Sequence, residues 1–438
     1  MRFVDLFSGT GGMRLGFEQA CASMGIQTSC VLSSEIDRRA VETYELNFGH
    51  APVGDIRQVH DLPAFDFMLA GFPCQPFSYA GKRQGFGDTR GTLFYQIERL
   101  LRRYRPEGFL LENVRGLTTH DKGRTFQTII HDLKSLGYGV RYVLLNSSNF
   151  SVPQNRVRIY IVGLLERSPS LTLESDRGAV DSHAFKRASQ SPLFSGNHPP
   201  VKLKDVLQDE VDEKYYLTPT FERQLYTAVN GKLEALNGVR LIDFRGGNSL
   251  HSWDLGIKGE CSLREREFMV ALISNRRKKV FGTHQDGKSL TLEQIRSFFD
   301  GEDVETIISS LISKRYLSKK GDKYNPVSGN MSFEVFKFLD PESISITLTS
   351  SDANKLGIVH NGRPRRITPR ECARLQGFPD SYQIHPLDPA AYKQFGNAVS
   401  VPVIREVVQD LLSSNRVNSA LKTVGLAGAA SASAAISI

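Results

Sequence analysis

The chain has 438 residues, of which 40% are hydrophobic and 23% are charged, a composition typical of a globular protein with two or three domains. A formal net charge of +8 favours a polyanionic partner. Five irregularly spaced cysteines argue against a disulfide framework, the lack of a CxxC pair argues against zinc, and no apolar run is long enough to cross a membrane. Because no signal peptide is apparent, we expect a cytoplasmic protein. Because no CxxC pair occurs, we expect no metal.

Short apolar runs alternate with amphipathic segments through the first 163 residues. The predicted strands are 3–7, 30–34, 65–70, 109–112, 138–145 and 158–163. The predicted helices are 13–22, 38–47, 92–104 and 125–136. This alternation predicts an α/β fold, with helices on both faces of one sheet.

The composition changes after residue 163, and residues 168–200 are rich in Ser, Pro and Gly, as expected of a linker or surface loop. A capping box at Thr291 and Gln294 predicts a helix through Phe299, and Asp303 is predicted to cap a second helix. A basic hairpin turning at 320–322 follows. Two helices and a basic hairpin favour a winged helix that binds nucleic acid, or equally a small packing module with a solvated charged face. Helices at 369–377 and 401–412 precede an Ala/Ser-rich tail.

A glycine-rich turn, DLFSGTGG at residues 5–12, follows the first strand and opens a helix. It is not a dinucleotide fingerprint, because Arg14 occupies the position of the third glycine, and it is not a P-loop. Glu35 ends the second strand, where related folds place a carboxylate for ribose hydroxyls, and Asp55 follows at a strand–loop junction. The pattern suits a nucleoside without phosphates, such as S-adenosylmethionine. The plain alternatives are an empty tight turn and a helix-capping role for Glu35.

A thiol, Cys74, lies between two prolines in GFPCQPFS, residues 71–78. A cysteine buried for packing usually lies within an apolar run, and this one does not. Reactive thiols need access and a lowered pKa. The octapeptide alone therefore leaves open both a nucleophile and an inert loop cysteine.

Eight motifs in order resemble the full motif set of the DNA cytosine-5 methyltransferases. They are FSGTGG (7–12), SSEID (33–37), GDI (54–56), GFPCQPFS (71–78), ENV (112–114), QNRVRIYIVG (154–163), RRITPRECARLQGFP (365–379) and QFGNAVSVPV (394–403). The resemblance implies a Rossmann-like S-adenosylmethionine-dependent methyltransferase sheet with a separate, smaller target-recognition domain. The implied domains are a catalytic part at 1–167, a variable target-recognition part at 168–362 with a winged-helix segment near 288–326, returning catalytic motifs at 363–414 and a low-complexity tail at 415–438.

The resemblance also implies catalytic roles. Cys74 adds to carbon 6 of cytosine, so that carbon 5 attacks the sulfonium methyl group. Glu112 supplies a proton at nitrogen 3, for which a raised pKa is expected. Arg156 and Arg158 lie near the cytosine carbonyl oxygen, and the base is flipped out of the duplex. Considered alone, Glu112 is typical of a surface acid and the two arginines of a solvated strand entrance.

For the cofactor, the resemblance places Phe7 against adenine, Glu35 on the ribose, Asp55 with Ile56 at the adenine, and Asn397 with Val399 at the methionine end. The other implied contacts are Ser8, Gly9, Thr10, Gly11, Gly12, Ile36, Pro73 and Leu93. The segment 78–91 matches a mobile loop that closes over DNA.

The expected function is methylation of cytosine in a specific double-stranded DNA sequence by a monomer at the nucleoid, protecting host DNA from a cognate restriction endonuclease that acts independently. Base reading is expected from residues 244–251 and from the winged-helix segment. A tRNA cytosine-5 methyltransferase is one alternative, disfavoured because that branch's Cys-Phe-Thr tripeptide is absent. A catalytically silent DNA-binding regulator is the other, disfavoured by the intact catalytic motifs.

Overall fold

The computed structural model describes residues 1–73, 92–176, 201–244, 246–282, 288–329 and 332–415. Contacts divide the chain into two units. The first contains Met1–Val206, Ile344–Ser351 and the chain from Pro369, and the second contains Leu207–Ser343 and Asp352–Thr368. The predicted boundaries at 167 and 363 fall inside these units, because Leu171 packs with the first core and residues 363–366 form a strand of the second unit.

The first unit contains a sheet of six described strands. They are β1 (Arg2–Leu6), β2 (Ser29–Ser34), β3 (Phe67–Gly71), β4 (Gly108–Val114), β5 (Tyr138–Asn146) and β6 (Val157–Leu165). Their order is β2-β1-β3-β4-β6-β5, in which β1 to β4 run parallel and β6 is antiparallel to both of its neighbours. Each predicted strand agrees with the structure to within two residues at each end.

Helices cover both faces of this sheet, as the alternating pattern predicts. They are α1 (Gly12–Ser23), α2 (Arg38–Phe48), α3 (Thr92–Tyr104) and α4 (Arg124–Ser135). On one face, Ile97 of α3 and Ile129 of α4 pack into a core cluster with Met68. On the other, Phe17 of α1 packs with Leu69 and with Val407 from the end of the chain. The α/β prediction is confirmed, and the parallel strands place the carboxyl ends of β1 to β4 at one sheet edge.

The second unit contains two smaller sheets and four helices within the described residues. In chain order the elements are α5 (Pro219–Ala228), β7 (Arg240–Leu241), β8 (Ser249–Leu250), α6 (Leu263–Asn275), β9 (Leu290–Thr291), α7 (Leu292–Arg296), α8 (Val304–Ser313), β10 (Leu317–Lys320), β11 (Lys323–Pro326), β12 (Lys337–Phe338), β13 (Leu356–His360) and β14 (Arg363–Arg366). The sheets have the orders β14-β13-β12-β7-β8 and β10-β11-β9. Each sheet packs on its own core cluster.

The capping box is confirmed, since the Thr291 hydroxyl accepts from the Gln294 amide and the Gln294 side chain accepts from the Thr291 amide. The helix ends at Arg296, however, before the predicted Phe299. Asp303 is the N-cap residue of α8, as predicted, but its side chain makes no capping hydrogen bond and pairs with Arg264 instead.

Three helices of the first unit lie between residue 369 and residue 415, the last described residue: α9 (Pro369–Arg374), α10 (Asp388–Asn397) and α11 (401–415). The helix predicted at 369–377 is shorter because Gly377 is left-handed, with φ +73°. The sequence did not predict α10, which buries Ala390, Tyr392 and Phe395 and so lacks a clear apolar stripe. Among the described helices, none combines the length and apolarity needed to cross a membrane.

Candidate active site

A cavity of about 730 Å³ opens in the first unit where β1, β2, β3 and β4 end. Most of the predicted site residues line it: Phe7, Ser8, Gly9, Thr10, Gly12, Glu35, Ile36, Asp55, Ile56, Pro73, Leu93, Glu112, Arg156, Arg158, Asn397 and Val399. Gly11 caps α1 without lining the cavity. Cys74 and the segment 78–91 lie outside the described residues.

The Glu35 carboxylate organises the turn after β1. Its Oε2 accepts from the Gly9 amide at 2.9 Å, and its Oε1 accepts from the amides of Ile36 and Asp37 at 2.8 Å. The helix-capping alternative for Glu35 is wrong, because Asp37 caps α2. Backbone donors on both oxygens hold this carboxylate in one orientation beside the glycine turn.

The turn has open space at Gly9, and two of its hydroxyl groups lack polar partners within the part of the chain that the structure describes. Ser8 Oγ and Thr10 Oγ1 are buried in the cavity wall without a hydrogen-bond partner among the described residues. A buried hydroxyl left in that state costs about 1–3 kcal/mol, so a polar ligand group in the cavity would stabilise the protein. Ile36, 77% exposed, offers an apolar surface at the rim. These residues fit the polar and aromatic parts of S-adenosylmethionine. The described residues hold no group of three or more His, Cys, Asp or Glu placed to bind a metal ion.

Asp55 caps a short 3-10 turn after Gly54 and pairs with Arg57. The Arg57 side chain holds the pKa of the Asp55 carboxyl below its usual value. Asp55 therefore stays ionised at neutral pH and is available as an acceptor at the cavity wall.

The last wall of the cavity comes from α10, which is fastened to α2. Lys393 Nζ donates to Asp37 Oδ2 at 2.6 Å, and Gln394 Nε2 donates to the Arg39 carbonyl at 2.9 Å. The hydroxyl of Thr43 donates to Gln394 Oε1 at 3.1 Å. Lys393 and Gln394 line the cavity although the sequence assigned them no role. The only sequence signal was the position of Gln394 within the QFGNAVSVPV motif.

Glu112 lies at the end of β4, opposite Gly71 of β3 and Tyr160 of β6, and is 8% exposed. Its Oε1 is 3.1 Å from Arg158 Nε. Burial raises the pKa of the Glu112 carboxyl, and the charges of Arg158 and Arg156 oppose that rise without cancelling it. Burial therefore makes Glu112 easier to protonate than an exposed glutamate, which is the direction that general acid catalysis requires.

The neighbouring Asn113 is a positioning residue that the sequence did not identify. Its buried Nδ2 donates to the Phe72 carbonyl at 3.0 Å, and its Oδ1 accepts from the Val114 amide at 2.8 Å. Asn113 thereby ties the end of β4 to the chain directly before Pro73. The signal available was its place in the ENV motif.

Arg156 is 1% exposed, and its guanidinium binds backbone carbonyls. Nη1 donates to Leu348 at 2.8 Å and to Gly396 at 3.4 Å, and Nη2 donates to Asn397 at 3.5 Å and to Ala398 at 2.7 Å. These bonds hold the turn after α10 against the segment containing Leu348. The arrangement favours a positioning role for Arg156 over the predicted contact with the base.

We expect Arg156→Lys to weaken S-adenosylmethionine binding by about 10- to 100-fold and to lower the free energy of unfolding by about 2–4 kcal/mol. An ammonium group cannot reproduce a planar fork that reaches four carbonyls, so buried acceptors lose their donors. Calorimetric titration with the cofactor and thermal denaturation measure the two effects. Arg158→Lys is the matched control, and it should preserve cofactor affinity while slowing methyl transfer. Equal cofactor affinities for the two variants would contradict the assignment.

Comparison with known proteins identifies the family. Residues 1–413 match the family model described as C-5 cytosine-specific DNA methylase. The chain is 62% identical over 415 residues to the Type II methyltransferase M.HgiCI of Herpetosiphon aurantiacus, a match that covers 94% of this chain and 98% of that protein. It is also 62% identical over 415 residues to the Type II methyltransferase M.BanI of Aneurinibacillus aneurinilyticus, covering 95% and 96% of the two chains.

Two solved structures share the fold. The Dnmt2 methyltransferase of S. pombe has a TM-score of 0.50 at 19% identity, covering 94% of this chain and 99% of that one. A DNMT2 variant of Spodoptera frugiperda has a TM-score of 0.51 at 18% identity, with the same coverages. At these identities the likeness concerns the fold alone, and the predicted Rossmann-like methyltransferase fold is confirmed. Together with the family match over residues 1–413, it leads to one conclusion: this chain belongs to the C-5 cytosine-specific DNA methylase family.

Proposed function

We propose that this protein is a DNA (cytosine-5-)-methyltransferase that transfers the methyl group of S-adenosylmethionine to carbon 5 of a flipped-out cytosine, through a Cys74 adduct at carbon 6. One observation carries the proposal. Glu112 and Arg158 lie 3.1 Å apart in the same cavity as the glycine turn and the Glu35 carboxylate. The same cavity therefore combines a carboxyl group that can protonate the cytosine with a site suited to the nucleoside part of the methyl donor.

The contacts support the following roles. When bound, S-adenosylmethionine supplies an electrophilic methyl group on its sulfonium. Glu35 is placed to accept hydroxyl protons of a ribose, and Phe7, Ile36 and Ile56 provide apolar surface for a purine. The protonated Glu112 carboxyl is placed to donate to nitrogen 3 of cytosine, which favours nucleophilic addition at carbon 6.

Arg158 orients the Glu112 carboxyl and adds fixed positive charge where negative charge develops. Asn113 holds the chain before Pro73, and Arg156 holds the turn at residues 396–398. The flipped base costs a few kcal/mol of unstacking, which binding in the cavity must offset. We assign removal of the carbon-5 proton to a water molecule; the electron pair left by that proton restores the double bond between carbon 5 and carbon 6 and expels the Cys74 thiolate.

The biological role we propose is protection of host DNA from a cognate restriction endonuclease that acts independently. The support is the description of two relatives, each 62% identical to this chain, as Type II methyltransferases. We propose that the enzyme acts on double-stranded DNA as a monomer in the cytoplasm.

Methyl transfer from labelled S-adenosylmethionine tests the proposal. Unmethylated plasmid DNA and bulk tRNA are incubated in parallel with the protein, and label is counted in each nucleic acid. We expect label on DNA, saturating once each target is modified, with none on tRNA. Sequencing that distinguishes 5-methylcytosine then identifies the target sequence. Label on tRNA alone, or on neither substrate, would overturn the proposal.

A further inference from the structure

Residues 261–327 of the second unit form a small module of helices and a three-stranded sheet. Its elements follow the order α6, β9, α7, α8, β10, β11, and its sheet has the order β10-β11-β9. It encloses its own core, in which Phe268 of α6, Leu311 of α8 and Tyr324 of β11 are buried together. The hairpin of β10 and β11 turns at residues 321–322, and its basic or polar residues outside that core are Ser318, Lys319 and Lys320 on β10 and Lys323 and Asn325 on β11. Helices followed by a hairpin in this order match the winged-helix interpretation.

Charges in this module are unevenly compensated. Three of its acids are neutralised by ion pairs: Asp303 by Arg264, Glu305 by Arg296 and Glu265 by Lys314. Seven exposed cations of the module have no ion-pair partner among the residues that the structure describes: Arg277, Lys278, Lys279, Arg315, Lys319, Lys320 and Lys323. We call five of them the cationic face: Arg277, Lys278, Lys279, Lys320 and Lys323.

The cationic face is continuous. Lys320 pairs with Lys323 across the hairpin and Ser318 pairs with Asn325, so these four side chains share one surface of the ribbon. Arg276 Nη2 donates to Asn325 Oδ1 at 2.9 Å, which fastens the end of α6 to that same surface. Residues 277–279 continue directly from this contact. Lys323 lies two residues from Asn325, a step of roughly 7 Å along a strand.

We propose that the cationic face binds the phosphates of duplex DNA without reading the bases, in addition to the contacts at the cytosine. The inference rests on the proposed function, because a protein that methylates DNA has DNA as its polyanionic partner. Lysine and arginine side chains that neutralise phosphates release counterions, and this supplies sequence-independent affinity. The hairpin, residues 317–326, contains one carboxylate, Asp322, and three lysines, Lys319, Lys320 and Lys323, so its charge remains positive. DNA carries one charge per roughly 1.7 Å of helix axis, and a row of unpaired cations complements it.

Salt titration of DNA binding tests the inference on the full-length protein. The probe is a duplex of A·T pairs alone, which contains no cytosine and so reports phosphate contacts separately from base capture. The test variant is the double substitution Lys320→Gln and Lys323→Gln. We expect it to reduce the slope of log K against log salt concentration by roughly 2, and to weaken binding by roughly tenfold or more near 0.1 M salt.

The matched control is the double substitution Arg264→Gln and Arg296→Gln, which removes the same formal charge from ion-paired positions in the same module. It should leave the slope unchanged, and thermal denaturation verifies that each variant is folded. An unchanged slope in the test variant, or an equal fall in the control, would overturn the inference. Wild-type methylation of plasmid DNA separates the two proposals: normal methylation with an unchanged slope removes this inference alone, and absent methylation removes the proposed function.

Discussion

Replacing Cys74 with alanine should lower methyl transfer to DNA by on the order of 10⁴-fold or more, because the thiolate forms the bond that makes carbon 5 nucleophilic. Cofactor binding should persist, since the substitution removes only the thiol that reacts with the base. Transfer of labelled methyl groups gives the rate, and calorimetric titration gives the cofactor affinity. A duplex containing 5-fluorocytosine should trap the wild type as an adduct that survives denaturation, and the variant should form none.

Other thiols of the chain supply the control. Burial raises the pKa of Cys261 to about 11 and that of Cys30 to about 12, so both remain protonated at neutral pH. Burial likewise raises the pKa of Cys372 well above its usual range. Cys261→Ala should therefore retain both methyl transfer and adduct formation. Trapping that survives in Cys74→Ala, or that disappears in Cys261→Ala, would contradict the assignment of the nucleophile.

Glu112→Gln should lower the rate of methyl transfer by about 10²- to 10⁴-fold, because an amide cannot deliver a proton to nitrogen 3. In the wild type the active form is the protonated carboxyl, whose pKa burial raises. The single-turnover rate should therefore fall as pH rises through that raised pKa, and the variant should lack this fall. Rates from pH 5 to 9 measure both. Glu107→Gln, at the exposed opposite end of the same strand, is the control and should keep the wild-type profile.

The raised pKa of Glu112 also makes the free energy of unfolding depend on pH. The folded protein binds the Glu112 proton more tightly than the unfolded chain does, because the folded pKa is raised above the usual value of 4.5. The contribution of this group to the free energy of unfolding is therefore fully present below pH 4.5 and is lost as pH rises through the folded pKa. Denaturant titrations at several pH values should show a smaller decline in Glu112→Gln than in the wild type. Parallel declines would argue against a raised pKa.

Much of the catalytic unit was predictable because its signals are local. Apolar runs and amphipathic periods located the strands and helices of the first 165 residues, and parallel strands bring their carboxyl ends together. The strand pattern put Glu35 and Glu112 at the ends of two predicted strands, and the motif resemblance assigned both to one active site. Motif order added the residues near 397 and 399, which no local pattern connects to that edge.

What could not be predicted depends on long-range contacts. The carbonyl partners of Arg156 lie 192 to 242 residues away, so its sequence neighbours gave no sign of burial. Asn113 acts on the Phe72 carbonyl, 41 residues away. The helix α10 was missed because it is buried on most sides, which removes the periodic contrast on which helix prediction relies.

The late position in the chain of α10, which forms a cavity wall, and of α11, which completes the core, has a consequence for synthesis. From the end of β6 at residue 165 to residue 399 there are 234 residues, which a ribosome adds in roughly 10 to 50 s. During that interval the sheet face that includes Phe17 and Leu69 lacks Val403 and Val407, its later partners. The nascent catalytic unit thus exposes apolar surface, and its cofactor site lacks the wall formed by α10. We expect yield in a host to depend on chaperone capacity during translation more than on the stability of the finished fold.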